Sequence, residues 1–285
     1  MTELPLSRGG EPLPLSGAEQ HVADVRHYLG LTLLGSMALN GLLALSLTDR
    51  MSPWWLLVTV PLVYVRLALG LHELLHLRSA ARVSTFHRLG MIFDTPFGLG
   101  YREHRAVHLR HHRWGAGPAD PELFQIAGGN LSAFCRAMVG PEYALYHWIR
   151  QHGLGHSLVR EAGFRCMVFV LVASVNPSVF LVYWLVLRLS IGASGFVFHH
   201  LLHQRAGQLG TFSLAAPPVL IGLGRLLFGT ESILILTRHR AHHLWHNLRV
   251  RDLPDLPVEF DLPKGRLTHQ MRARAQLAAQ SRSLR

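Results

Sequence analysis

Nineteen consecutive positions, 30–48, carry no charged side chain. At about 1.5 Å rise per residue a helix of that length crosses most of a ~30 Å hydrocarbon core. Asp49, Arg50 and Pro53 end the run, and a second apolar stretch fills 54–71, opening on Trp54 and Trp55 where an interfacial aromatic belt is expected. Arg66 falls inside this stretch; a charge there is expensive unless it reaches the headgroups or a partner, and its nearness to His72 favours snorkelling. A third apolar region covers 166–187 and continues over 189–198 beyond Arg188, with Asn176 and Pro177 in its middle. Length alone allows one long span or a tight hairpin. The fourth, 214–237, contains Pro217, Pro218, Arg225 and Glu231 and suits an interfacial or re-entrant segment better than a clean crossing.

Composition agrees with a membrane protein. Of 285 residues only 16% are charged and 49% are hydrophobic, against about 25% charged in an ordinary soluble domain. The net charge is +11, and of the 28 basic residues only Lys264 is lysine. Such a surface attracts acidic headgroups or an acidic protein; no recognition-helix or stacking-platform pattern accompanies it, so nucleic acid is not expected as a partner. Cys135 and Cys166 match no metal or redox spacing. The first 28 residues mix Pro, Gly and both charge signs without the basic start, apolar core and cleavage site of a signal peptide, and are expected to be a flexible tail. Arginine is dense between Arg78 and Arg113 and again over 249–285, whereas the connection between the first two spans has only Arg50. The positive-inside rule places both rich segments and the N-terminus in the cytoplasm, which requires an even number of crossings.

Twelve of the twenty histidines fall into four tight groups. His72 and His76 form HELLH at the end of the second span; His108, His111 and His112 form HLRHH, with His104 one turn earlier; His199, His200 and His203 come next; and His239, His242, His243 and His246 lie in HRAHHLWH. Side chains three or four apart share a helix face, so each box presents two or three imidazoles together. Imidazole suits Zn, Cu, Fe and Ni, and eight or nine rings exceed what one ion takes, so two metal ions are the economical solution. His21, His27, His87, His147, His152, His156 and His269 are read as ordinary solvated or hydrogen-bonded histidines. HELLH in isolation is also the zinc metalloprotease signature, with Glu73 as general base; that reading leaves two complete HxxHH boxes without a role. In the preferred reading Glu73 supports a ligand imidazole from behind. A histidine-rich metal transporter is the non-enzymatic alternative, but it would place polar ligands near the bilayer midplane rather than at span ends.

HELLH after an apolar span, YREHRAVHLRHHRW followed by Asp120, Pro121 and Glu122, and HRAHHLWHNLRVRDLP near the C-terminus together resemble the membrane fatty acid desaturase superfamily of histidine-box di-iron enzymes, over roughly residues 30–257. The resemblance implies His72, His76, His108, His111, His112, His203, His239, His242 and His243 as ligands of two iron ions, with Asp120 behind them and O2 as co-substrate. His104, His199 and His246 are further candidates, and His203 is preferred over His199 and His200 as the ligand from the last span. Trp245, His246 and Asn247 depart from the family's usual sequence after the third box. The resemblance also implies that the boxes converge on the cytoplasmic side of the inner membrane. That favours about four transmembrane helices in two hairpins, the second turning near Asn176 and Pro177, under a cytoplasmic helical cap. Residues 29–257 would form this domain, and 258–285 a basic cytoplasmic tail. The implied reaction is O2-dependent desaturation of a lipid acyl chain, or hydroxylation or ketolation of a fatty acyl, carotenoid or other hydrophobic substrate on the same scaffold. Electrons must come from a separate ferredoxin-like carrier and its reductase, because the chain has no dinucleotide fingerprint or iron–sulfur spacing.

Overall fold

The computed structural model describes residues 18–77, 80–91, 95–246 and 248–256, with 18–25 and 80–82 as backbone alone. Helix α1, Ala18–Leu47, begins well before the uncharged run. The end of the expected flexible tail is thus helical, because Tyr28 and Leu29 pack with Leu74, Leu75, Val83 and Tyr101, and buried apolar contact extends a helix beyond its lipid-facing portion. Residues 1–17 and the expected C-terminal tail 258–285 lie outside the described residues.

A one-turn helix, Pro53–Trp55, leads into α2, Leu56–His76, which returns alongside α1. Their close approach uses small residues: a Cβ on Gly35 would stand 3.0 Å from Leu67 Cβ, and one on Gly70 would stand 2.7 Å from Thr32 Oγ1. α3, Ala80–Met91, then packs on α1, its Leu89 carbonyl accepting from Ser36 Oγ at 2.9 Å. Four helices come after it: α4, Tyr101–Trp114; the short α5, Leu123–Ile126; α6, Asn130–Met138; and α7, Gly140–His152.

α8, His156–Val175, and α9, Pro177–Gly195, form a hairpin rather than one long span. Asn176 turns the chain: its Oδ1 accepts from Val179 N at 3.1 Å, and Pro177 supplies a preset first helical residue. Phe169 of α8 then meets both Phe180 and Trp184 of α9, at 5.7 and 5.3 Å between rings, a pairing only antiparallel helices allow. Three segments among the described residues are long and apolar enough to cross a membrane: Arg26–Leu47, Pro53–His76 and Pro177–Leu201. α8 reaches similar length, but Arg160, Glu161 and Arg165 occupy its first half.

Two charges inside apolar segments have partners. Arg188 of α9 pairs with Glu142 of α7, donates to Thr95 Oγ1 at 3.1 Å and to the Met138 carbonyl at 2.9 Å, and lies 4.0 Å over the Trp184 ring. Removing one member of such a pair leaves the other uncompensated, so Glu142→Ala is expected to cost about 3 kcal/mol. A thermal melt in detergent, with Arg188→Met/Glu142→Leu recovering much of the loss, checks this. Arg66 does not simply snorkel; it donates to the Leu227 carbonyl at 3.1 Å, capping α10, Pro218–Phe228, where unsatisfied carbonyls and the helix dipole favour a cation. α10 is eleven residues long, about 16 Å, and Gly229 at φ +90° breaks it from α11, Thr230–Thr237. The fourth apolar stretch is therefore two short helices, with Val219, Leu220 and Leu226 exposed on the first. α12, His239–Leu244, carries the last box.

Candidate metal centre

The histidine groups meet at one end of the bundle. The final turns of α2 present His72 and His76, α4 presents His108 and His112, and α12 presents His242; one ligand nitrogen from each lies within 4.8 Å of all the others. His108 Nε2 is 3.0 Å from His76 Nε2 and 3.1 Å from His112 Nε2. A single Nε2 carries one proton or one lone pair, so it cannot fully satisfy both neighbours. Nitrogens bound at right angles to an ion about 2.1 Å away stand ~3.0 Å apart, which is the separation observed.

A second set adjoins the first. His111, on α4 between two members of the first set, joins His203 and His243 within 4.8 Å, and His239 Nε2 lies 3.0 Å from His203 Nε2. The His112 and His243 rings, one from each set, stack at 4.2 Å. In the second set two Nδ1 atoms are already committed: His203 Nδ1 donates to the Gly210 carbonyl at 2.9 Å and His111 Nδ1 to Asp120 Oδ2 at 2.8 Å. Each contact fixes a tautomer whose Nε2 lone pair is free. His72 Nδ1 faces Glu73 Oε1 at 2.9 Å in the same manner. Glu73 thus lies behind a histidine, an arrangement suited to support of a ligand rather than to the general base of a zinc protease.

Buried nitrogens left over in the protein itself point to a metal. His242 and His243 have no hydrogen-bond partner at either ring nitrogen, and His76, His112 and His239 have none at Nδ1. Leaving buried polar atoms unpaired costs about 1–3 kcal/mol each. Burial, reinforced by neighbouring histidines, pushes the pKa values of His108, His112, His203, His239, His242 and His243 well below the ordinary histidine value. These rings stay neutral, the form that binds metal. His111 behaves oppositely: burial opposes its charge, but Glu122 and Asp120 outweigh that and raise it. Glu122 is likewise buried, yet His111 and His199 hold its carboxyl well below the usual range. These buried histidine clusters could hold metal ions.

The structure separates the three histidines at the end of α9. The segment Phe196–Leu201 is wound as a π-helix, whose wider turn rotates the residues after it. His203 enters the second set. His200 turns to structural partners, the Ile126 carbonyl at 2.7 Å and Asn130 Oδ1 at 3.0 Å. His199 Nδ1 faces Glu122 Oε2 at 3.2 Å, forming with His111 a third group that overlaps the second set. His104 stands outside both main sets, with its Nδ1 3.3 Å from His87 Nε2 and its pKa lowered to about 4, chiefly by burial. His246 is exposed, its ring 5.7 Å from His76 and 5.5 Å from His112. Sequence reasoning singled out Asp120 but used Glu122 only as part of a motif. A buried Glu two residues after a buried Asp was the available signal.

A cavity adjoins the histidine sets, lined by His108, His111, His112 and His243 together with apolar residues such as Leu71 of α2 and Ile191 of α9. Comparison with protein-family models, curated proteins and solved structures gave no match.

Proposed function

We propose that the chain is a membrane-bound oxidoreductase that uses two iron ions and O2 to introduce a double bond into a lipid acyl chain. The observation that carries this reading is the adjacency of two buried imidazole sets, several of whose ring nitrogens have no hydrogen-bond partner, beside a largely apolar cavity between helices of membrane-spanning length. Bound iron supplies oxidation of an unactivated C–H bond, with O2 reduced to two waters by two substrate hydrogens, two external electrons and two protons. The protein's own contribution is placement. Leu71 and Ile191 exclude water and confine a hydrocarbon chain beside the histidines, while Asp120, Glu73 and the Gly210 carbonyl hold ring orientations. α8 completes a fourth crossing in this reading, which puts both termini and all histidine groups on the cytoplasmic side, where an electron carrier reaches them.

Lipid profiling of membranes from cells with and without the chain, paired with metal analysis of the purified protein, tests the proposal. Expected are new acyl double bonds and about two irons per chain. New hydroxyl or keto groups would instead assign the hydroxylase or ketolase branch. A single zinc with no lipid change would overturn the oxidoreductase reading.

A further inference from the structure

A second cavity, of about 470 Å³, lies between α3 and α8. A buried water needs only ~10–15 Å³ by such a measure, so the space suits a polyatomic group. Its lining is divided by chemistry. Arg88 of α3 and Arg160, Glu161 and Arg165 of α8 supply charge, whereas Leu89, Met91, Leu99 and Phe164 are apolar. Among the described residues three guanidinium groups face one carboxylate. Arg88 donates to Glu161 Oε1 at 2.8 Å, and the buried Arg165 donates to the Gly98 carbonyl at 2.6 Å, which fixes the rear wall. Arg160 is exposed at the rim. Phe164, one turn further along α8, and Leu89 are also exposed, at 49% and 37%. Arg160 thus precedes Phe164 by one turn of α8, with the buried Arg165 beyond it, so an exposed cation and exposed apolar side chains flank the cavity, as an amphiphile entering from the headgroup layer requires.

Met91 and Leu99 each line both this cavity and the one at the metal centre. The partition is completed by the hydrogen-bonded pair His87, which faces the second cavity, and His104, which faces the first. At Met91 and Leu99 the wall between the two spaces is thus one side chain thick, and methionine is unbranched and adapts its shape readily.

We propose that the second cavity seats the anionic head, phosphate or carboxylate, of a single-tailed amphiphile whose acyl chain passes Met91 and Leu99 toward the histidines. The proposal deepens the acyl-chain reading and rests on it, but it is tested by binding without turnover. Full-length protein in an uncharged detergent is titrated calorimetrically with lysophosphatidate, decanoate, lysophosphatidylcholine of the same chain as the lysophosphatidate, and inorganic phosphate. At least one anionic amphiphile is expected to bind about tenfold or more tighter than lysophosphatidylcholine, because guanidinium pairs strongly with phosphate and carboxylate. Which of the two binds names the head. Arg160→Gln, a rim substitution, and Arg88→Gln/Arg160→Gln are expected to erase that preference while metal content stays at the wild-type level.

Failure of both lysophosphatidate and decanoate to bind more tightly than lysophosphatidylcholine in the wild-type protein, which requires no variant, would overturn the proposal. So would an undiminished preference in the double variant, or inorganic phosphate binding as tightly as lysophosphatidate. Lipid oxidation in cells together with any of these results would sink the head site alone and leave the oxidoreductase reading intact.

Discussion

His203→Ala is expected to release one of two metal ions and to lower activity by at least about 100-fold, with the protein still in the membrane. His203 is fully buried at 0% exposure, its Nδ1 is held by the Gly210 carbonyl, and its Nε2 meets His239 Nε2 at 3.0 Å. It belongs to the smaller of the two main ligand sets, with His111 and His243, whereas five histidines converge in the first. Deleting one of five leaves a set that still completes a tetrahedron; deleting His203 removes one of three, with His239 beside them. The two sets should therefore respond differently. His76→Ala is expected to retain most bound metal while losing activity through altered geometry, and His203→Ala to fall to about one ion per chain. Elemental analysis of both variants beside lipid profiling separates the cases. Full metal content and full activity in His203→Ala would remove the second set from the site.

The sequence showed the boxes and the span lengths more clearly than the way they are joined. HxxxH and HxxHH spacings are local consequences of helical periodicity, so the grouping of His72 with His76 and of His239 with His242 and His243 could be read from the residues. How the sets interleave is tertiary. His111 and His112 are neighbours on α4, yet they face different sets, because successive residues on a helix are turned by about 100°. The interruption at Asn176 and Pro177 was visible in the residues, but the choice of a hairpin over one long span came only from the resemblance, which requires the histidine groups on one side. The π-helical winding over Phe196–Leu201 was not, since nothing in FVFHHL specifies an extra residue per turn. Without that winding, the different directions taken by His199, His200 and His203 cannot be obtained from spacing. Arg66 and Arg188 show the same limit. The sequence marks Arg66 as a costly charge and Arg188 as an interruption of an apolar region, but the acceptors, the Leu227 carbonyl and Glu142, lie 161 and 46 residues away along the chain.

Asp120→Ala is expected to weaken metal binding at the second set by about 10- to 100-fold while leaving the first set filled. Asp120 Oδ2 accepts from His111 Nδ1 at 2.8 Å and from Ala116 N at 2.7 Å, and Oδ1 accepts from Glu122 N at 2.8 Å. One carboxylate thus orients a ligand ring, holds the non-glycine Ala116 at φ +58° and fixes the turn that brings Glu122 to His111 and His199. Alanine removes all three contacts and lets the His111 ring choose the other tautomer, which would occupy Nε2 with a proton. Asp120→Asn would keep the shape, but an amide nitrogen cannot accept, so at least one of the three N–H groups would face a donor. Asp120→Asn should therefore fall between wild type and Asp120→Ala, and closer to alanine if the amide oxygen is taken by a backbone N–H rather than by His111. Competitive titration with a chelator resolves the two ions by affinity. Loss of both ions in parallel would mean that Asp120 acts on folding of the whole cap rather than on His111. Two ions retained at wild-type affinity in Asp120→Ala would show that the His111 ring is oriented by Glu122 instead.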